Sequence, residues 1–125
     1  MSAYTVLLCD DALFMRTMLR SIVTSGGYEV IGEAGNGLVA VEMYTSLRPD
    51  MVVMDMVMPE MSGVDAVRRI RELDPNARIV MCSAMGQQQL VTEACAAGAM
   101  GFITKPFTAS RVLEALADLV NGMPV

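Results

Sequence analysis

The sequence lacks histidine and tryptophan altogether, and aromatic residues make up only 5% of its 125 residues. Without histidine, nucleophilic triads and metal sites that depend on an imidazole are excluded. Long apolar runs are also missing, because no run approaches the ~20 residues that a membrane helix needs. Basic residues are scarce: nine lysines and arginines against 14 acidic residues give a net charge of -5. This balance argues against binding to the phosphate backbone of nucleic acids.

Cysteine is sparse as well, and Cys9, Cys82 and Cys95 have neither paired nor metal-type spacing. We interpret them as small buried apolar residues of a protein in the reducing cytosol. The opening stretch, MSAYTVLLCDD, has no basic leader and no small-residue cleavage site. We therefore expect no signal peptide and a cytoplasmic location.

Apolar residues are plentiful at 54%, while charged residues amount to 18%. Intrinsic disorder requires the opposite balance and is excluded. A chain of this length buries roughly two thirds of its unfolded surface, which is enough for an independent core. We expect one domain that spans residues 1–125.

Short apolar runs alternate with stretches of helical spacing. The runs that predict strands are Tyr4–Cys9, Tyr28–Ala34, Met51–Met54, Ile79–Cys82 and Gly101–Thr104. Apolar runs without polar alternation are typical of parallel strands that are covered on both faces. Five strands that alternate with five helices predict an α/β fold with a parallel sheet between two helical layers.

The helical stretches are delimited by glycine and proline, as is usual for helix ends. In the first, the apolar face is predicted to contain Leu13, Phe14, Leu19, Ile22 and Val23, and Gly26-Gly27 ends it. The second has Leu38, Val41 and Tyr44; the third begins near Ser62-Gly63 and ends before Pro75; the fourth spans Gln87–Ala97; the fifth begins at Thr108.

Polar residues occur where the predicted strands end. Asp10, Asp11, Asp55, Ser83 and Lys105 follow four different strands. The carboxyl ends of parallel strands share one crevice, the usual ligand site of such sheets. Three carboxylates in one place repel one another and call for a cation, and Mg2+ commonly binds through carboxylates and water.

This set of groups suits one reaction, the transfer of a phosphoryl group to a carboxylate. Asp55 can attack phosphorus and form an acyl phosphate. Lys105, the only lysine in the chain, can pair with Asp55 and later with a phosphoryl oxygen. The hydroxyl of Ser83 adds a donor, so positioning and electrostatics do most of the catalysis.

Six stretches carry a resemblance to a known family: LLCDDALFMR, EAGNG, VVMDMVMPEMSGVDA, IVMCSAMGQQ, EACAAGA and GFITKPF. In this order and spacing, the chain resembles two-component receiver domains, and most closely the stand-alone chemotaxis response regulators of the CheY type. The resemblance, and not the periodicity, implies a doubly wound, flavodoxin-like sheet of five parallel strands in the order 2-1-3-4-5.

The resemblance also implies roles for the acidic residues. Asp55 would be the phosphoacceptor. Asp10 and Asp11 would be the acidic pair for Mg2+, with Asp11 and Asp55 favoured as direct ligands. The backbone carbonyl of Val57 would be a third protein ligand. Manganese is a possible alternative ion because oxygen ligands accept both metals.

The remaining site residues would act on the phosphoryl group or respond to it. Ser83 and Lys105 would grip the phosphoryl oxygens. Phe102 would be an aromatic switch that moves inward when Ser83 is drawn to the phosphate. The resemblance further implies a cis peptide bond between Lys105 and Pro106.

The chain departs from common family patterns at a few positions. Ser83 replaces the commoner threonine, and Phe102 stands where many chemotaxis members have tyrosine. Val57 and Met85 are apolar where some members carry polar residues near the attacking water. We hypothesise that this pair orients water poorly and prolongs the life of the phosphoryl group.

The implied partners are a chemotaxis histidine kinase and a flagellar-motor switch protein or a similar target. The contact surface would be the fourth helix, the fifth strand and the fifth helix, roughly Gln87–Val120. We expect a monomer that binds neither nucleic acid nor membrane. It would catalyse only its own phosphorylation and dephosphorylation.

Three alternatives stay open at this point. A phosphohydrolase with an Asp nucleophile often has a second Asp two residues later, where this chain has Val57. A flavodoxin-like redox carrier would need a phosphate loop after the first strand, and CDDALFM offers none. A receiver that serves a non-motility phosphorelay is the hardest alternative to separate.

Overall fold

Ten elements alternate strictly between strand and helix in the computed structural model, which describes residues 3–122. The strands are β1 Thr5–Cys9, β2 Glu29–Ala34, β3 Met51–Asp55, β4 Ile79–Ser83 and β5 Gly101–Thr104. The helices are α1 Leu13–Ser25, α2 Gly37–Leu47, α3 Gly63–Leu73, α4 Gln88–Ala97 and α5 Ala109–Asn121.

All five strands pair in parallel in the order β2-β1-β3-β4-β5. The expected doubly wound, flavodoxin-like topology is thereby confirmed. The chain first adds β2 to one side of β1 and then returns past β1 to build β3, β4 and β5. This reversal opens a crevice at the carboxyl ends of β1 and β3, where open α/β sheets bind their ligands.

The central strands are buried on both faces, which explains why their sequences do not alternate in polarity. In β1, Val6 and Leu8 pack with the layer formed by α1 and α5, whereas Leu7 and Cys9 pack with α2, α3 and α4. Each layer has its own apolar cluster. The sheet therefore separates two apolar clusters, and the burial of its central strands holds their carboxyl ends in place.

Side-chain caps define three helix starts. Asn36, Ser62 and Thr108 accept hydrogen bonds from the backbone N–H groups of Val39, Asp65 and Arg111 at 2.9, 3.2 and 3.2 Å. Such caps satisfy N–H groups that have no partner inside the helix. At the other end of α4, Gly98 adopts φ 118°, a left-handed conformation that favours glycine.

Two of the predicted apolar helix faces are wrong in their first turn. Leu13 and Phe14 are 65% and 73% exposed, and Leu38 is exposed at the start of α2. The buried residues of α1 are Leu19 and Val23. In α2 the first turn is buried through Gly37 and Ala40 instead.

The cysteine prediction holds for two residues and fails for the third. Cys9 and Cys82 are buried in the two different clusters, on opposite faces of the sheet. Burial raises the pKa of both thiols, that of Cys82 to about 12. Cys95 is exposed, because α4 packs through its neighbour Ala94.

Within residues 3–122, none of the helices has the length and apolar character that crossing a membrane requires.

Candidate functional site

The polar residues predicted to form a site do come together at the carboxyl edge of the sheet. Asp10 directly follows β1, Asp55 and Ser83 are the last residues of β3 and β4, and Lys105 directly follows β5. Asp55 is paired in register with Cys82, one residue before Ser83. Backbone pairing thus places side chains from four strands around one crevice.

Three carboxylates form the acidic part of the crevice. Asp10, Asp11 and Asp55 each offer an oxygen, and these oxygens lie within 4.8 Å of one another. Asp10 and Asp55 are buried, whereas Asp11 is exposed at the mouth. A set of hard oxygen donors partly open to water fits a Mg2+ ion, which retains several waters when bound.

Lys105 bridges the two buried carboxylates. Its Nζ donates to Asp55 Oδ1 at 3.1 Å and to Asp10 Oδ2 at 3.3 Å. Its backbone N–H donates to the carbonyl oxygen of Ser83 at 2.7 Å, and a cis peptide bond joins it to Pro106. The ammonium group is therefore aimed at the carboxylates by its own backbone.

The electrostatics of the site favour a charged lysine and penalise the charge on Asp55. Burial and the neighbouring Asp10 raise the pKa of Asp55, although Lys105 and the Met56 N–H partly oppose this rise. Burial lowers the pKa of Lys105, but Asp55 and Asp10 more than offset it, so that this pKa is raised overall. The negative charge here exceeds what Lys105 alone balances, which leaves a place for a further cation.

Two glycines, whose importance the sequence analysis missed, shape the loop after β3. A Cβ atom on Gly63 would collide with the carbonyl oxygen of Asp55, and one on Gly37 would collide with that of Met61. Their N–H groups donate to the carbonyl oxygens of Met56 and Met61 at 2.9 and 3.0 Å. The signal in the sequence was a glycine directly after each of two polar residues that cap a helix, Asn36 and Ser62.

A second group that the sequence analysis missed lies behind the acidic pair. Arg16 Nη1 donates to the backbone carbonyl oxygen of Asp10 at 2.6 Å. On an amphipathic helix an arginine is ordinarily assigned to the solvated face. No sequence pattern distinguishes this arginine from Arg20, one turn further along α1.

Phe102 and Ser83 both line one cavity. Phe102 is in β5 and is 44% exposed. It lines a cavity of about 490 Å³ together with Ser83, Met85 and Val91, between the loop after β4 and the start of α4. An open space next to the ring is what a rotating aromatic side chain requires.

Comparison with a family model gives one match over most of the chain. The model described as "Response regulator receiver domain" matches residues 6–117. The match includes every residue that we assign to the crevice, from Asp10 to Lys105.

Individual relatives point in the same direction. "Chemotaxis protein CheY" of Thermotoga maritima is 61% identical over 111 residues, which covers 89% of this chain and 92% of the relative. The protein of that name from Bacillus subtilis is 52% identical over 119 residues and covers 95% and 99% of the two chains.

A solved structure extends the similarity to three dimensions. The CheX-CheY-BeF3-Mg+2 complex from Borrelia burgdorferi contains a chain with a TM-score of 0.89 and 37% identity to this one. The alignment covers 94% of this chain and 89% of that chain. Fold and sequence therefore lead to the same group of proteins.

Proposed function

The chain belongs to the response regulator receiver domain family of two-component systems, and on this premise we propose that it accepts a phosphoryl group on Asp55. The observation that carries the proposal is the crevice itself. Asp10, Asp11 and Asp55 converge within 4.8 Å, and Lys105 contacts Asp55 at 3.1 Å. We propose that residues 1–125 form a single receiver domain.

The chemistry begins with Asp55 as nucleophile. Both hydrogen bonds that its carboxylate accepts within residues 3–122, from Lys105 and from the Met56 N–H, go to Oδ1. Oδ2 is therefore the oxygen that attacks phosphorus, while the bond from phosphorus to the donor's histidine nitrogen breaks and that nitrogen takes up a proton. Lys105 and the hydroxyl of Ser83 then bind the transferred oxygens.

The metal ion proposed for the crevice is Mg2+. Asp11, Asp55 and the backbone carbonyl of Val57 would hold it, and Asp10 would complete the acidic pair. When bound, the ion neutralises charge on the phosphoryl oxygens. This assignment is supported by the hard oxygen donors of the crevice and by the Mg2+ of the Borrelia burgdorferi CheX-CheY-BeF3-Mg+2 complex.

Phosphorylation is proposed to switch a protein-binding surface through Ser83 and Phe102. As the Ser83 hydroxyl turns toward the phosphoryl group, the Phe102 ring moves into the cavity that both residues line. The surface that changes is made of α4, β5 and α5. Phe102 lies at its centre and is 44% exposed in the present state.

The partners proposed are a chemotaxis histidine kinase as donor and a flagellar-motor switch protein or a similar target. The proposal is supported by the similarity to chemotaxis proteins at 61% and 52% identity. We further propose a cytoplasmic monomer that binds no nucleic acid and no membrane. The chain would act on no external substrate and would catalyse only its own phosphorylation and dephosphorylation.

The test is intact mass spectrometry after incubation with acetyl phosphate, with and without Mg2+. Wild type should gain a labile phosphoryl adduct only when Mg2+ is present. Asp55→Asn should gain none. Asp65→Asn is the matched control, because Asp65 is an exposed aspartate of α3 that pairs with Arg68 and lies outside the crevice.

An adduct of equal yield on Asp55→Asn would disprove Asp55 as the acceptor. Steady release of phosphate without an adduct would favour a phosphohydrolase. An adduct of equal yield in EDTA would remove Mg2+ from the proposal and leave the acceptor in place.

A further inference from the structure

We propose that Arg16, held by Glu33, is a positioning residue that orients the Asp10-Asp11 pair for Mg2+. The inference rests on the proposed metal site and adds a residue that does not contact the ion. It starts from the 2.6 Å hydrogen bond between Arg16 Nη1 and the Asp10 carbonyl oxygen.

The bonded carbonyl belongs to the peptide unit that joins Asp10 to Asp11. The other polar groups of Asp10 are also partnered: its N–H donates to the Ala34 carbonyl, and its Oδ1 accepts from the Ala12 N–H. Asp11 is exposed and lies in the turn between β1 and α1. Arg16 thus fixes the peptide plane from which the exposed carboxylate projects.

Arg16 is itself held in place. Its Nε donates to Glu33 Oε1 at 2.9 Å, and the two side chains are only 18% and 23% exposed. Arg20 binds the other carboxylate oxygen of Glu33 at 2.7 Å. Burial alone would raise the pKa of Glu33, but the two arginines lower it overall, so this carboxylate stays charged.

Simple charge effects and positioning predict opposite results for the loss of Arg16. A positive charge close to a cation site repels the cation, so that its removal should tighten Mg2+ binding. Loss of a group that orients metal ligands weakens metal binding, typically by about 10- to 100-fold. The sign of the change therefore separates the two explanations.

Arg20 provides the matched control. It has the same charge, lies on the same helix and binds the same Glu33, yet it is 48% exposed and its hydrogen bond runs to Glu33 and not to Asp10. Exposed ion pairs of this kind contribute little to stability. We expect Arg20→Ala to change Mg2+ affinity by no more than about twofold.

The experiment titrates Mg2+ into wild type, Arg16→Ala and Arg20→Ala and follows the backbone amides by NMR. Arg16→Ala should bind Mg2+ about 10- to 100-fold more weakly. With acetyl phosphate, its half-maximal Mg2+ concentration should rise by the same factor. Its rate at saturating Mg2+ should return close to wild type, because Arg16 does not touch the phosphoryl group.

Equal or tighter Mg2+ binding by Arg16→Ala, compared with Arg20→Ala, would overturn the inference while the phosphoacceptor proposal stands. A wild type that shows no Mg2+ binding would overturn both the inference and the proposed metal site, and would leave the acceptor role of Asp55 to the acetyl phosphate experiment. Urea unfolding in EDTA checks that the variants fold. If Arg16→Ala does not fold, Arg16→Lys takes its place; it keeps the charge but lacks the planar fork, and it should also bind Mg2+ more weakly.

Discussion

Two apolar residues closely follow the crevice residues of β3 and β4, at positions where a polar side chain could act on water. Val57 lies two residues after Asp55 and is 56% exposed; Met85 lies two residues after Ser83 and is 81% exposed. Hydrolysis of an acyl phosphate requires a water molecule in line with the phosphorus–oxygen bond. Neither valine nor methionine offers a strong hydrogen-bonding group to hold that water.

We therefore predict that Val57→Asn combined with Met85→Glu dephosphorylates faster than wild type. One or two hydrogen bonds to the attacking water, worth about 1 kcal/mol each, correspond to roughly a tenfold change in rate. The measurement is the decay of the phosphoryl adduct in intact mass spectra after acetyl phosphate is removed. Leu73→Gln is the control, because it places a polar side chain on an exposed site of α3 away from the crevice. An unchanged lifetime of the phosphoryl group in the double variant would refute the hypothesis.

At the scale of elements, a tyrosine in α2 secures the end of α3. The hydroxyl of Tyr44 donates to Asp74 Oδ2 at 2.7 Å, and Asp74 directly follows the last residue of α3. This hydrogen bond and others lower the pKa of Asp74. Burial and the same hydrogen bond raise the pKa of Tyr44. This hydrogen bond therefore links α2 and α3 near their C-terminal ends.

The two pKa shifts set the pH range over which the Tyr44–Asp74 hydrogen bond stabilises the fold. The lowered pKa of Asp74 contributes stability above its unfolded value near 3.9, which is lost as the pH falls through the folded value. The raised pKa of Tyr44 contributes stability below its unfolded value near 10, which is lost as the pH rises beyond it. The full contribution is therefore expected between about pH 4 and pH 10.

We predict that Tyr44→Phe lowers the free energy of unfolding by about 1 kcal/mol at pH 7, because a partly buried hydrogen bond to a charged group is lost. The difference from wild type should narrow as the pH falls below 4. Urea unfolding followed by circular dichroism measures both effects. Tyr28→Phe is the control, since the Tyr28 phenol has no hydrogen-bond partner within residues 3–122; an equal loss in both variants would contradict the prediction.

The helices also show where sequence prediction works and where it stops. Val64, Val67 and Ile70 of α3 lie three residues apart in the sequence, which is the spacing of one helix face, and all three are buried. Leu13 and Phe14 fit the same kind of pattern in α1 and are exposed. Periodicity reports which residues can share a face of a helix, but it does not report which part of that face a neighbouring element covers.

The candidate site was predictable to a similar extent and for a related reason. Asp55, Ser83 and Lys105 could be grouped because each follows or ends an apolar strand, and parallel strands end at one edge. Gly63 and Arg16 could not, because their roles depend on contacts with the backbone carbonyl oxygens of Asp55 and Asp10. A contact between a side chain, or a Cβ position, and the backbone of another segment produces no periodic pattern in the sequence.

At the scale of the whole molecule, the metal binding proposed for the acidic crevice is expected to affect the stability of the fold. Asp10 and Asp55 are buried at the carboxyl edge of the central strands β1 and β3, with Lys105 as their shared cation. A ligand that binds only the folded state stabilises it by an amount that depends on its concentration relative to Kd. Mg2+ should therefore stabilise the entire fold and not only the loops around it.

We predict that Mg2+ at ten times its Kd raises the free energy of unfolding of wild type by about 1.4 kcal/mol. Asp11→Asn should gain far less, because it loses an exposed carboxylate that is favoured as a direct ligand. In EDTA this variant should be at least as stable as wild type, since one of three mutually repelling carboxylates is gone. Urea unfolding of both proteins with and without Mg2+ measures the two gains, with Ca2+-free buffers throughout. Equal stabilisation of wild type and Asp11→Asn by Mg2+ would show that the ion binds elsewhere on the protein. A large loss of stability of Asp11→Asn in EDTA would show that Asp11 supports the fold and not the metal.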